Sequence, residues 1–367
     1  MSTLPQIVDA LARAAAAREA VVLATVVRVV GSSYGGVGAR MLARVDGTTV
    51  GLVSGGCLES DLAEHARRVH AAGRAEVVAY DTRADDDAVW GLGLGCNGLV
   101  EVLLQPLDAD VAARVAARLG RSLAGDAPAV LATVAGSRDA AMRVGTQALL
   151  GEGDAAWALA ADAHRAAALA NGRRGLVAEV GDVDVAFEVV VPATRLLVCG
   201  SGPDAVPVVR LAVNLGWDVT VADHRPLAHA RPERFAGARV VSCADASRIA
   251  EAVDVRASTA AVVMSHHFAR DTEYVGALLA AGARYVGVLG PRSRTDRMLA
   301  ELATRGAPLD GADERLFGPI GLDVGGDGPE AIALAIVAEA SAVASGRAGG
   351  SLRDRRAPLH APAPLPA

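Results

Sequence analysis

The sequence predicts an α/β protein: an N-terminal α/β domain built from a duplicated unit, followed by a doubly wound parallel sheet. Two observations predict it. From Arg195 onward, short apolar strands ("RLLVCG", "DVTVAD", "ARVVSC", "TAAVVMSH", "ARYVGVLGP") alternate with helical stretches. That alternation is the signature of parallel strands joined by crossover helices. Before that point, "VLATV" occurs at 22–26 and again at 130–134, followed by "GARML" at 38–42 and "GTQAL" at 145–149. Further on, "VEVLLQP" at 100–106 is answered by "FEVVVP" at 187–192. Recurrence in a fixed order marks a duplicated module more firmly than any single motif does, the plainer reading being chance matching of Ala- and Val-rich strands.

These patterns divide the chain into a first domain over 1–192, with a first unit at 1–108 and a degenerate second unit at 125–192, and a second domain over 193–346. A last helix near 328–345 follows "FGPIGLDVGGDG", and residues 347–367 read as a disordered Pro/Ala-rich tail. The first copy keeps "GSS" at 31–33, "SGGCLE" at 54–59 and "GLGLGCNG" at 91–98, whereas the second copy has no cysteine. The first therefore reads as the working copy and the second as its scaffold partner.

At 367 residues, 52% hydrophobic and 21% charged, the chain has ample apolar material for a core and is expected to be soluble and globular. A net charge of −6 without a basic block argues against nucleic acid or an anionic membrane as main partner. An aromatic share of 3% leaves little to stack on single strands. There is no lysine, so all 36 basic residues are arginine. This excludes a Schiff-base lysine and a Walker-type phosphate loop, and leaves anions to arginine or backbone N–H groups. Asp9, Arg13, Arg18 and Glu19 interrupt any signal-peptide apolar region, and no apolar run reaches membrane-spanning length. Cys57, Cys96, Cys199 and Cys243 lie far apart with no CxxC pair, which points to a reducing cytoplasm rather than a zinc ribbon or disulfide scaffold.

The chemistry-bearing residues fall into three groups. In "CGSGPDA" at 199–205, Gly200, Gly202 and Ala205 form a GxGxxA between a strand and a helix, and Asp223 ends the next strand. This is the setting of a Rossmann dinucleotide site, with the carboxylate placed for a ribose hydroxyl; Arg225 nearby could instead serve a 2′-phosphate, and a tight turn with no dinucleotide is the plainer reading. In the first copy, Cys57 follows Gly55 and Gly56 and precedes Glu59, and Cys96 lies in a second glycine-rich turn. Such thiols suit a soft metal–sulfur centre or a carried sulfur, while Ser32, Ser33 and Arg40 offer donors to a phosphate or pterin. The plainer alternative is two unreactive thiols in tight turns. Third, His266 and His267 follow a strand at the ligand-binding edge of the sheet, and Arg292 and Arg294 offer an anion grip, with ordinary loop and surface roles as alternatives. Cys199 and Cys243 read as buried strand residues, and "ADDDA" at 84–88 as a solvated turn.

With these residues in view, the chain resembles the XdhC/CoxI group of maturation factors for molybdenum hydroxylases. The resemblance rests on "GSSYGGVGARMLARVDGTTVGLVSGGCLE", "WGLGLGCNGLVEVLLQP", "RLLVCGSGPDAVPVVRLAVNLGWDVTVADHRP", "YVGVLGPRSRTDRMLAEL" and "GPIGLDVGGDGPEAIALAIVAEASA", in the family's order. Two departures are the segment Tyr34, Gly35, Gly36, where the family often carries arginines or a proline, and "SHH", where Thr-His-Asp is common. The resemblance implies an N-terminal XdhC/CoxI-type domain and a Rossmann-type C-terminal domain. It also implies binding of molybdenum cofactor as molybdopterin or its dinucleotide, sulfuration with a cysteine desulfurase, and delivery to the large subunit of an apo-hydroxylase. Cys57 and Cys96 would then face the metal. A separate NAD(P) on the Rossmann crevice is a further expectation, as is a homodimer. Two other readings stand beside the maturation factor. One is an NAD(P)-dependent oxidoreductase with Asp223 on the ribose and His266 or His267 as proton donor. The other is a catalytically silent dimeric adaptor.

Overall fold

The computed structural model describes residues 4–31, 33–81, 98–152, 155–226, 230–307, 309 and 312–356. The chain divides between Pro192 and Ala193 into two compact units.

The first unit begins with helix α1 (Leu4–Ala16), then strands β1 (Val21–Gly31), β2 (Arg40–Arg44) and β3 (Thr49–Gly51), helix α2 (Glu59–Ala72), and strands β4 (Glu76–Asp81) and β5 (Gly98–Leu107). The same succession returns as α3 (Ala109–Ala124), β6 (Ala129–Ser137), β7 (Gln147–Leu149), α4 (Ala156–Asp162), α5 (Arg165–Asn171), β8 (Leu176–Val180) and β9 (Val183–Val190). Two antiparallel sheets result, ordered β3-β2-β1-β5-β4 and β7-β6-β9-β8, so each strand of the second sheet has its counterpart in the first.

Strand β1 is almost entirely β-branched and apolar because it is covered on both faces. Val21 and Leu23 pack with Leu11 of α1 and Leu119 of α3, while Val22, Ala24 and Val26 pack with Leu62 and Val69 of α2. The period-2 alternation of a strand separates these two sets. Helix α1 turns Ile7, Ala10, Leu11 and Ala14 to the core, and α3 is started by Asp108, whose carboxylate accepts from the Val111 N–H at 2.8 Å. The pairing of β1 with β5 shifts register between Val26 and Arg28, and that of β6 with β9 between Val134 and Gly136, the same point of the repeated motif. Hydrogen-bond register also corrects the motif alignment. Leu23 faces Gln105 and Leu131 faces Glu188, so Gln105 and Glu188 are equivalent, not the two motif glutamates Glu101 and Glu188.

The second unit is a six-stranded parallel sheet: β10 (Arg195–Cys199), β11 (Asp218–Asp223), β12 (Arg239–Ser242), β13 (Thr259–Val263), β14 (Tyr285–Val288) and β15 (Leu316–Phe317), in the order β12-β11-β10-β13-β14-β15. Helices α6 (Ala205–Asn214) and α9 (Pro329–Ala344) cover one face, burying Val208, Ile336 and Val337 against Leu196 and Val198. Helices α7 (Phe268–Ala280) and α8 (Arg292–Thr304) cover the other, burying Leu278, Met298 and Leu302 against Leu197 and Cys199. Cys199 and Cys243 are buried, Cys243 just beyond the end of its strand. The strand order reverses between β10 and β13, which places the ligand crevice of such a sheet at their carboxyl ends. Among the described residues, no helix is long and apolar enough to cross a membrane.

Candidate functional sites

In the first unit, two glycine-rich loops meet. Val53 closes on Gly35 so tightly that a β-carbon at Gly35 would collide with the Val53 carbonyl oxygen. The Tyr34 ring lies beside Gly55, 3.6 Å from where a β-carbon would sit. Beyond it Gly55, Gly56 and Cys57 are exposed, and Gly56, at φ 111°, has open space around it. Glu59, expected among the cofactor-binding residues, is instead spent on this turn. Its Oε1 accepts from the Val53 and Ser54 N–H groups at 3.1 and 2.8 Å, and its Oε2 from the Ser54 hydroxyl at 2.5 Å. Ser54 in turn accepts from the Leu58 N–H at 3.0 Å. Burial pushes the Glu59 carboxyl up, but the bonds from Ser54 outweigh it and hold the group below the usual range. The thiol thus stands exposed on a turn that Glu59 and Ser54 hold by hydrogen bonds.

Arg40 also takes a different role from the expected anion donor. It is 4% exposed and grips the Glu188 carboxylate with two N–H groups, at 2.7 and 2.5 Å. Buried and paired in this way, its guanidinium is closed to a phosphate arriving from solvent. Ser33 is half-buried at the loop's edge, whereas Ser32 and Cys96 lie outside the described residues, as does "ADDDA".

At the carboxyl edge of the parallel sheet, the structure gathers Gly200, Gly202, Asp223, His266, His267 and Arg292 around the ends of β10, β11, β13 and β14. Their roles differ from expectation in three places. Gly200, at φ 127°, is required by the protein itself: a side chain there would strike the Met264 carbonyl and Ser265 backbone of the neighbouring strand end. Asp223 is 2% exposed and fully occupied, accepting from the backbone and hydroxyl of Ser201 and from Arg225, so it is not an open acceptor for a ribose. Arg294, expected as half of an anion grip, donates to buried Asp271 at 2.7 Å, leaving Arg292 exposed at the first position of α8. His266 adopts a left-handed φ of 63° and shares a 2.8 Å hydrogen bond with Asp204, the residue preceding α6, across the crevice. His267 leads into α7, its N–H donating to the Ser265 hydroxyl at 3.3 Å.

The chain is 30% identical over 327 residues to a probable xanthine dehydrogenase subunit of Bacillus subtilis (strain 168), spanning 88% of this chain and 92% of that protein. The chain belongs to the XdhC and CoxI family. Residues 14–81 match the XdhC and CoxI family and residues 196–340 the XdhC Rossmann domain. A crystal structure described as a xanthine dehydrogenase from Bacillus halodurans is 30% identical, with a TM-score of 0.73 over 96% of this chain and 98% of that one. The "Uncharacterized protein YqeB" of Escherichia coli (strain K12) is 28% identical over 161 residues, 42% of this chain and 28% of that protein.

In this XdhC/CoxI chain the residues that sequence reasoning missed are the ones that brace the sites. Ser201 and Ser265 each lie two residues beyond the end of a strand and each give both N–H and hydroxyl to a buried carboxylate, Asp223 and Asp271, which Arg225 and Arg294 then close. Ser54 and Glu59 repeat the serine–carboxylate half of this arrangement. The one signal in the sequence was a serine two residues past an apolar strand. Asp271 gave none, because an acid in a helix's first turn ordinarily faces water.

Proposed function

We propose that this XdhC/CoxI chain is a maturation factor for a molybdenum hydroxylase of the xanthine dehydrogenase class. It would hold molybdenum cofactor, as molybdopterin or its dinucleotide, present it to a cysteine desulfurase for sulfuration, and pass it to the large subunit of the apo-hydroxylase. The names of the relatives support the association with xanthine dehydrogenase. The observation that carries the finer reading is the Cys57 turn: an exposed thiol preceded by two exposed glycines, the first of them beside the Tyr34 ring, on a turn fixed by Glu59. Among the described residues, no three His, Cys, Asp or Glu side chains group as a metal site. A metal that arrives in its own dithiolene chelate would need no such cage, and a single soft thiol ligand would suit it. The bound cofactor would supply the metal–sulfur chemistry. Tyr34 and the Gly55–Cys57 turn would hold the group, with the Cys57 thiol as the soft ligand offered to its metal.

The test is metal and pterin analysis of the chain produced in cells that make molybdenum cofactor, together with complementation. Wild type should retain pterin and molybdenum through desalting, and Cys57→Ala should lose them while melting normally. A deletion strain should assemble hydroxylase subunits that lack sulfurated cofactor. Retention no better than that of an unrelated acidic protein, or full hydroxylase activity in the deletion strain with no second homologue, would overturn the proposal. Hydride transfer from NAD(P)H by the purified chain would favour the oxidoreductase reading.

A further inference from the structure

The carboxylate that a dinucleotide's ribose would address is closed off by one residue. Asp223 Oδ1 accepts from the Arg225 backbone N–H at 2.8 Å and from its Nε at 2.9 Å. Oδ2 accepts from the Ser201 N–H at 3.0 Å, the Ser201 hydroxyl at 2.5 Å and Arg225 Nη2 at 2.9 Å. A carboxylate offers roughly four lone-pair positions. Five donors fill them, so a ribose diol would have to displace the guanidinium to reach the carboxylate.

The same residue turns an anion-binding group outward. Arg225 Nε and both N–H directions of Nη2 are taken, the latter by Asp223 and the Ser201 hydroxyl at 2.8 Å. Among the described residues, Nη1 has no partner, and the side chain is 44% exposed. Its base is anchored: the Arg225 N–H is held by Asp223, and its carbonyl accepts from the Ser242 hydroxyl at 3.0 Å. The surroundings are cationic. Burial, and then the charge of Arg270, depress the neighbouring His224 imidazolium; Asp223 opposes them, and Arg225 and His267 add smaller pushes in the downward direction. Of the nearby acids, Asp223 is neutralised by Arg225 and Asp245 is turned to Ser247.

We infer that the Rossmann crevice selects a nucleotide whose adenosine ribose carries a phosphate monoester, of the NADP rather than the NAD type, and that Arg225 is the specificity-determining residue. The outward face of the guanidinium would receive the phosphate, with Asp223 and Ser201 holding the fork in place. This assignment stands apart from the molybdenum cargo, since it concerns a different unit and a different ligand.

Titration calorimetry on the full chain with 2′,5′-ADP and 5′-AMP isolates the phosphate, because the two differ in nothing else. A charge-assisted contact of this kind predicts at least about tenfold tighter binding of 2′,5′-ADP. NADP and NAD should show the same order. Arg225→Ala should erase the preference and raise NAD affinity by uncovering Asp223, and Arg225→Lys should restore part of it. Melting curves establish that each variant is folded. Equal affinities in the wild type, a preference that survives Arg225→Ala, or no binding of either probe to folded protein would each overturn the assignment. Loss of cofactor retention with this preference intact would instead tell against the maturation-factor proposal alone.

Discussion

Arg40 in the first copy and Glu188 in the second are joined by a two-point ion pair, Nη1 to Oε1 at 2.7 Å and Nη2 to Oε2 at 2.5 Å, in a region shut off from water. Removing one partner strands a buried charge, so Glu188→Ala should cost about 3–5 kcal/mol of stability. Replacing both, as Arg40→Met with Glu188→Leu, should cost much less than the sum of the single changes. Urea unfolding of the two single variants and the double variant measures this coupling; additive losses would show that the pair does not act as a unit.

Gly200 and Gly202 should separate cleanly. Gly200→Ala forces a side chain into a left-handed φ and against the Met264 carbonyl, and should lower stability by roughly 2 kcal/mol or more. At Gly202 a β-carbon meets only the Asp204 carboxylate, the end of a movable side chain. Gly202→Ala should therefore fold nearly as well as wild type, its effect falling on the Asp204–His266 contact and on nucleotide binding. Melting temperatures and calorimetry with 2′,5′-ADP would distinguish the two; equal destabilisation would refute the division.

Acid should weaken the second unit through Asp223. Burial raises its carboxyl, but hydrogen bonds from Arg225 and Ser201 prevail and hold it well below the usual carboxylate range. A group depressed in the folded state adds stability above its unfolded pKa, about 3.9, and loses it as pH falls from there toward the folded value. Asp223→Asn should thus be less stable than wild type at neutral pH and show a shallower loss below about pH 4. Parallel curves for the two proteins across that range would count against it.

Thiol labelling should follow burial. Cys57 is exposed and should react within the native protein, while Cys199 is fully buried, its thiol pushed well above the usual range by that burial and by nearby Asp271. Mass spectrometry after brief maleimide treatment should find Cys57 modified and Cys199 untouched until denaturant is added. Native labelling of Cys199 would contradict the packing of β10.

The sequence is most legible where period and punctuation act locally. The parallel strands from Arg195, the glycine turn after β10 and the last helix all follow from runs of apolar residues broken by Gly, Asp and Pro. The two-residue strand β15 leaves no pattern to read. Candidate site residues are easier to locate than to assign, because role depends on partners distant in sequence. Arg40 reads as a free donor, yet Glu188, 148 residues away, holds it. Asp223 reads as an acceptor, yet Ser201, 22 residues away, occupies it together with Arg225. A charged side chain in a loop reads alike whether it awaits a ligand or already has a protein partner.

Gly38 and Gly145 occupy equivalent turns, at φ 90° and 89°, each donating to a carbonyl of its own copy's first strand, Val26 or Val134. Each also leaves room for a side chain of the other copy, Glu188 against Gly38 and Gln105 against Gly145. The arrangement is reciprocal in shape but not in charge. A first copy released from the chain and meeting its own twin through this face would set each Arg40 opposite a Gln105 amide, with two guanidinium groups uncompensated. The charge pair therefore favours unlike copies joined in one polypeptide over two like copies meeting through the same face.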